Sequence, residues 1–442
     1  MKFLRLLILL LILLLPYNLY ADVQTKEIKV FSFQGILLNT VELKGLEWYK
    51  IGDIAVSDLG TDGTPEIIIS SAFGEKPYIK IYRLNGSLIN EFLVYPEAYL
   101  GGVNFEVADL DGNGIKEIIT AATFGGGPHI LVLNSAGQVF NSFFAFAESD
   151  RGGVNVATGN LYENQLPEII VSSNNSNQVR VFNKEGNLLN EITLLNNFQH
   201  GQRVSAIDLG SDGVSEIITF ANKQDIPSLF IYQNNGDFIS TYSLYNQEFK
   251  GGVNLMTSGN QIFIGAGFGG GPHLKIIDGF NAVQNQFFTN EPSFLGGVKL
   301  AVYDNQIYTI PEQFKTAGYD DAKYILIDLS EQKLKHYQNG FLLGDNLVST
   351  GKAGYNTPTG EFSVLNKSTN QYSAKYGLYM PYWMNFYTDY GIHELPYWPS
   401  GYREGEDHLG IPVSHGCVRL GIGPAHKLYN WAEIGTRVYI EE

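Results

Sequence analysis

The sequence predicts an all-β chain whose larger part is a six-bladed β-propeller. Two observations predict it. A unit of about 50 residues recurs over the first three hundred positions, each copy holding about four short β-rich runs split by Gly and Asn turns. The two ends of the repeating region also carry complementary half-units, so that together they complete one more copy.

Three markers set the repeat. Gly101-Gly102-Val103-Asn104 returns as Gly152-Gly153-Val154-Asn155, Gly251-Gly252-Val253-Asn254 and Gly296-Gly297-Val298, with a weaker copy at Gly201-Gln202-Arg203-Val204. Pro65-Glu66-Ile67-Ile68 is echoed by Lys116-Glu117-Ile118-Ile119, Pro167-Glu168-Ile169-Ile170 and Ser215-Glu216-Ile217-Ile218. Phe124-Gly125-Gly126-Gly127-Pro128-His129 is copied at Phe268-Gly269-Gly270-Gly271-Pro272-His273. Full units begin near residues 52, 102, 153, 203 and 252. Residues 298–310 supply two strands of a sixth, and residues 27–43 supply the other two. Sharing one blade between the ends of the region closes the ring and removes open sheet edges. These units resemble the FG-GAP repeats of integrin-type propellers, with the Phe-Gly-Gly-Gly-Pro and Asp-rich loops as the points of likeness.

One Asp-rich loop has the ligand spacing of a calcium site. Asp109, Asp111, Asn113 and Glu117 place oxygen atoms at intervals around a glycine turn, as Ca²⁺ loops do. A turn held by Asx hydrogen bonds is the other reading, and the loops at Asp58 and Asp208, which lose a ligand to glycine, favour it. His129 and His273 recur with the repeat and read as turn packing, not as metal ligands.

Three further features set limits. Lys2 and Arg5 precede an unbroken Leu/Ile run at 6–15, then Leu19-Tyr20-Ala21. That is a charged n-region, a short h-region and a small residue at a cut site, so residues 1–21 read as a signal peptide for an exported protein of the periplasm or cell envelope. An uncleaved anchor is the alternative; the run is shorter than the twenty residues a span needs. The net charge is −16, of which −2 falls in residues 322–442, and this argues against nucleic-acid binding. The boundaries expected are 22–310 for the propeller, 311–321 for a linker and 322–442 for a second domain.

That second domain holds the chain's single cysteine, Cys417. It cannot form an intramolecular disulfide or a CxxC metal site. A lone thiol in an oxidising compartment is a liability unless it is used, and its use requires a neighbouring base. His393, His408 and His415 are the candidates. Gly416 before the cysteine permits a sharp turn that brings N–H groups to a reacting carbonyl. The segment Gly391-Ile392-His393-Glu394, an aromatic insertion, and then Ser414-His415-Gly416-Cys417-Val418-Arg419 resembles the core of L,D-transpeptidases, cysteine enzymes of bacterial peptidoglycan. Tyr324–Ser330, Val348–Lys352, Thr357–Phe362 and Met380–Met384 match further family elements in order.

The resemblance implies a mainly-β catalytic domain in which Cys417 is the nucleophile and His393 the base, with the Glu394 carbonyl orienting the imidazole. It makes His415 and Ser414 supporting residues. It implies oxyanion donors at the Gly416 and Cys417 N–H groups, and a substrate groove at Tyr382, Trp383 and Met384. Arg419 is either a holder of a substrate carboxylate or half of a salt bridge. The implied partners are peptidoglycan stem peptides, and the chemistry requires no cofactor. Twenty residues separate His393 from Ser414, more than is usual in the family, and His408 lies in that excess. The expected activity is acyl transfer that cross-links stems, with L,D-carboxypeptidase action or wall-anchored adhesion through the propeller as alternatives.

Overall fold

A computed structural model describes residues 25–162, 166–195, 198, 201–316, 319 and 321–442. The export segment expected at 1–21 lies outside them. The chain divides into two units, Thr25–Phe314 and Lys315–Glu442.

The first unit is a six-bladed propeller of four-stranded antiparallel sheets. Blade one runs Ile51–Ser57, Glu66–Ser71, Tyr78–Arg83 and Leu88–Leu93. The next four blades repeat it, with inner strands starting at Val103, Val154, Gln202 and Val253. The sixth blade joins Lys299–Tyr303 and Gln306–Ile310 to Glu27–Ser32 and Leu37–Glu42. Lys29 faces Thr309 and Val30 faces Tyr308 in that closing ladder.

Strand chemistry follows position in the blade. The second strands, such as Glu117–Ala122 and Glu168–Ser173, are buried throughout, which explains their continuous apolar runs. Fourth strands such as Val139–Phe144 alternate exposed and half-buried residues. Isoleucines such as Ile68, Ile119 and Ile170 are fully buried, each contributing about 1.5–3 kcal/mol of apolar burial.

The repeat markers now have physical roles. Glu66, Glu117, Glu168 and Glu216 each accept the N–H of a leucine seven residues earlier: Leu59 at 3.1 Å, Leu110 at 2.9 Å, Leu161 at 2.8 Å and Leu209 at 2.9 Å. The glutamate is thus a loop clamp common to four blades. The second glycine of Gly-Gly-Val-Asn is left-handed and lies against the preceding blade: Gly153 has φ 77°, and a Cβ there would stand 2.2 Å from the carbonyl carbon of Thr123. Fourth-strand asparagines tie blades together. Asn90, Asn141 and Asn285 donate to the carbonyls of Ser135, Lys184 and Phe33 at 2.9–3.0 Å, the last of these closing the ring.

The expected linker needs correction. Glu312, Gln313 and Phe314 are buried, and Phe314 belongs to the propeller core. Thr316 already bonds Gly340 in the second unit, and Tyr319 stacks on Tyr439. The division therefore falls between Phe314 and Lys315, because apolar and polar partners await the chain on both sides of it.

The second unit is built on one nine-stranded mixed sheet. Its centre runs Phe341–Ser349, Val418–Leu420, Tyr390–Glu394 and Leu378–Tyr387. The helix Pro424–Trp431 buries Ala425 and Leu428 in a core with Ile325, Ile392, Val418 and Val438.

Candidate active site

Parallel pairing of two short strands brings the histidine and the cysteine to one place. Ile392 pairs with Val418 and His393 with Arg419. Side chains alternate along a strand, so His393, Arg419 and Cys417 share a face. All three line a cavity of about 940 Å³, with His408 and His415 also on its wall.

The turn carrying the cysteine is fastened from below. Ser414 N–H donates to Thr350 at 2.9 Å and Lys352 N–H to Ser414 at 3.0 Å. The buried Thr357 hydroxyl donates to the Gly416 carbonyl at 2.9 Å. Gly416 has φ 110°, and a Cβ there would meet the Tyr390 ring at 2.2 Å. Gly391 has another reason than turning freedom: it is extended, and a Cβ would lie 2.5 Å from the Trp383 ring.

His393 is 2% exposed, and its Nδ1 donates to the Glu394 carbonyl at 2.6 Å. That bond leaves Nε2 as the proton acceptor. Trp383 stacks on the imidazole with ring centroids 5.7 Å apart. Burial pushes the His393 pKa down to about 3, against the raising effect of the Glu394 bond, and Arg419 lowers it further. Burial raises the Cys417 thiol, while the Gly391 backbone and Arg419 pull it down. Both reactive groups are therefore neutral at rest. A charge on either alone is disfavoured, whereas proton transfer creates an opposed pair.

The structure resolves the other expected residues. His408 bonds Glu404 through Nδ1 at 2.9 Å, on a 3₁₀ turn at Glu406–His408; among the described residues no main-chain carbonyl fixes its ring as one fixes that of His393. Arg419 forms a salt bridge, its Nη1 lying 2.6 Å from the same Glu404 carboxylate. Glu394 has a second duty, accepting from Arg403 at 2.6 Å. His415 sits between Tyr355 and Tyr376, with centroids 4.6 and 4.9 Å away. Its pKa is lowered by burial first and then by Lys352, Arg419 and Lys375.

Two expectations are corrected. Gly416 N–H is not an oxyanion donor in this conformation: it donates to Ser414 Oγ at 3.0 Å, while the Ser414 hydroxyl donates to the Cys417 carbonyl at 2.6 Å. A serine closing on backbone two residues ahead is a standard turn device. Of Tyr382, Trp383 and Met384, only Trp383 lines the cavity. Met384 is fully buried in the core, and Tyr382 stacks on His426. Tyr382 is left-handed, φ 55°, which shifts the alternation so that Leu378 and Met380 share the cavity wall with Trp383. Glu404, buried and bound to both Arg419 and His408, escaped the sequence reading. An acidic residue in a turn-rich insertion carries no signal of its own.

In the propeller, the carboxylates of Asp109, Asp111 and Glu117 lie within 4.8 Å of one another. Asp109 accepts the N–H groups of Gly112, Asn113 and Gly114 at 2.7–3.1 Å. Asp58 and Asp208 hold their turns in the same way, and Glu117 is the repeat-wide clamp. The donor set suits a hard cation, and the turn is also complete on its own bonds. His129 and His273 are not turn residues: each opens a strand and packs on its cross-strand partner, Phe144 or Phe288.

The family profile for the YkuD L,D-transpeptidase catalytic domain matches residues 322–440. The YkuD protein of Bacillus subtilis (strain 168), which carries an L,D-transpeptidase name, is 29% identical over 134 residues, covering 30% of this chain and 68% of that protein. YqjB of the same organism, similarly named, is 29% identical over 133 residues, covering 27% and 71%. Among solved structures, an L,D-transpeptidase of Stackebrandtia nassauensis is 29% identical, covering 28% of this chain and 57% of that one, with a TM-score of 0.24. One of Enterococcus faecium is 26% identical, covering 27% and 50%, with a TM-score of 0.23. The chain thus spans about half the length of these structures, and the assignment rests on sequence. The C-terminal unit is a YkuD-type L,D-transpeptidase catalytic domain.

Proposed function

We propose that the chain is an exported transpeptidase that cross-links peptidoglycan stems through a thioester on Cys417. The observation that carries this reading is the pairing of His393, with Nδ1 tied to a carbonyl and Nε2 left to accept, beside a cysteine on the same sheet face and cavity. Cys417 Sγ attacks the carbonyl of the third residue of a tetrapeptide stem as Nε2 takes the thiol proton. The C–N bond to the terminal D-alanine breaks, and the imidazolium returns the proton to the leaving amine. A side-chain amine of a neighbouring stem then displaces the sulfur and joins the third residues of two stems. Protein groups suffice for each step.

The propeller, in this reading, grips a wall or cell-surface ligand and raises the local concentration of the enzyme at its polymer. Mass spectrometry of muropeptides treated with the purified protein tests the reaction. Stems joined through their third residues are the expected product. Tripeptides without cross-links would make the protein a carboxypeptidase instead, and unchanged muropeptides would reject both. For the propeller, the isolated residues 315–442 should keep turnover on soluble tetrapeptide and bind intact walls less well than the full chain. Equal wall binding would give the propeller another partner.

A further inference from the structure

The innermost strand of each propeller blade places one polar residue at the same level of the axis. They are Asp53, Asn104, Asn155, Arg203, Asn254 and Lys299, with Asp53 reaching the position through a bulge. Five of the six line a cavity of about 290 Å³. Hydrogen bonds run around it. Asn104 donates to Asn155, and Asn155 to the Gln202 carbonyl at 2.8 Å. Arg203 donates to Asn254 at 2.9 Å and pairs with Asp53 at 3.2 Å. Asn254 donates to Glu312 at 3.2 Å, and Glu312 pairs with Lys223.

The charge of the lining is unbalanced. Arg203 is met by Asp53 and Lys223 by Glu312, which leaves Lys299 as the surplus cation of the lining, in a chain of net charge −16. Glu106, further along the strand of Asn104, adds little negative charge: burial first, then Asp53, pushes its pKa up to about 8. Burial first, then Arg203, pushes the Lys299 pKa down to about 8, and an anion set beside it would favour its charged form. Carboxamides offer donors and acceptors together, and cations in excess attract an anion. The volume is at the low end for ligand pockets, about 300–1,000 Å³, so it suits one sugar ring or a peptide end and not a polymer strand.

We propose that this channel binds a small carboxylate-bearing ligand, with the carboxylate on Arg203 and Lys299 and its hydroxyl or amide groups on Asn104, Asn155 and Asn254. Calorimetric titration of the full chain tests it with N-acetylmuramic acid, N-acetyl-D-alanine, the primary amide of each, and inorganic phosphate. The expected result is binding of one acid, with its amide weaker by about tenfold or more. Which acid binds tells a sugar carboxylate from a peptide terminus. Lys299→Gln should weaken the acid by a similar factor, while Cys417→Ala should bind it as the wild type does, placing the site away from the thiol. If Lys299→Gln fails to fold, Asn155→Asp, which adds a negative charge to the ring, must weaken binding instead. Neither acid binding at about 10 mM, equal binding of acid and amide, binding of phosphate alone, or a folded channel variant that binds normally would each overturn the proposal.

Discussion

The propeller channel and the transpeptidase cavity both bury ionisable groups, and they handle them in opposite ways. Around the channel, charged groups persist because partners reach them from other blades: Asp53 of the first blade meets Arg203 of the fourth, and Glu312, after the sixth, meets Lys223. In the cavity, His393 is held by the Glu394 carbonyl and Cys417 Sγ lies 3.9 Å from the Asp389 carbonyl; among the described residues neither forms an ion pair, and burial disfavours a charge on either. A repeat can distribute compensating charges at equivalent positions. A reactive pair cannot be compensated in advance without losing the driving force for its proton transfer. The Arg419–Glu404–His408 cluster shows the boundary between the two modes: it is a compensated network set against the uncompensated pair.

The largest effect that would sharpen this contrast is loss of the pair itself. Cys417→Ala should abolish acylation and cross-linking, a loss of several orders of magnitude, since the chain has no second thiol. His393→Ala should suppress thioester formation with a carbapenem-type probe far more than His408→Ala does. Residual activity within about tenfold of wild type in Cys417→Ala would remove the cysteine mechanism, and a more damaging His408 substitution would move the base to the insertion.

A smaller effect is expected where compensation is broken. Glu404→Gln strips the carboxylate from Arg419, whose side chain is 11% exposed. Removing one partner of such a buried pair costs about 3–5 kcal/mol, readable as a lower midpoint in chemical denaturation of residues 315–442. An unchanged midpoint would show that Arg419 finds other partners.

The two units should also answer acid differently. His393 and His336 have folded pKa values pushed down to about 3 and about 4, chiefly by burial. A histidine held neutral contributes stability above its unfolded pKa near 6.5 that is lost as pH falls toward the folded value. Glu106 has a raised folded pKa, so its contribution is full below the unfolded value of 4.5 and declines as pH rises through about 8. In the propeller, burial also lowers the His129 and His273 pKa values, which opposes Glu106, so between pH 7 and pH 5 calorimetry should show the C-terminal unit melting lower and the propeller falling less. A parallel shift of both transitions would contradict the assigned burial of these groups.

The smallest effect concerns the Asp109 loop. If it takes calcium, millimolar Ca²⁺ should raise the propeller midpoint in the wild type and leave Asp109→Ala unmoved. No shift in either protein would assign the loop to its Asx turn alone.

Much of this molecule is legible in residue order. The repeat period and the strand count follow from local patterns, because the first five blades are built from neighbours in sequence joined by hairpins, and the shared sixth blade follows from the half-units left at the two ends of the repeat. The cysteine, its histidine and the glycine turn are also legible, since they lie in short contiguous motifs. The sequence offers Glu117 only as a candidate oxygen ligand, and its clamp on Leu110 emerges only when four blades are laid side by side.

What the sequence by itself determined is therefore the kind of element: propeller repeats, a lone thiol, a histidine set ahead of it. Tertiary structure decided the rest. It set the division at Phe314, the Ser414 bond that occupies the Gly416 N–H, the placing of Met384 in the core and Leu378 on the cavity wall, and the convergence of Arg203, Asn254 and Glu312. Each of these depends on which distant groups meet, or on a single left-handed residue shifting a strand's phase. Neither is written in local pattern, because burial and hydrogen-bond partners are properties of the packed chain and not of any segment within it.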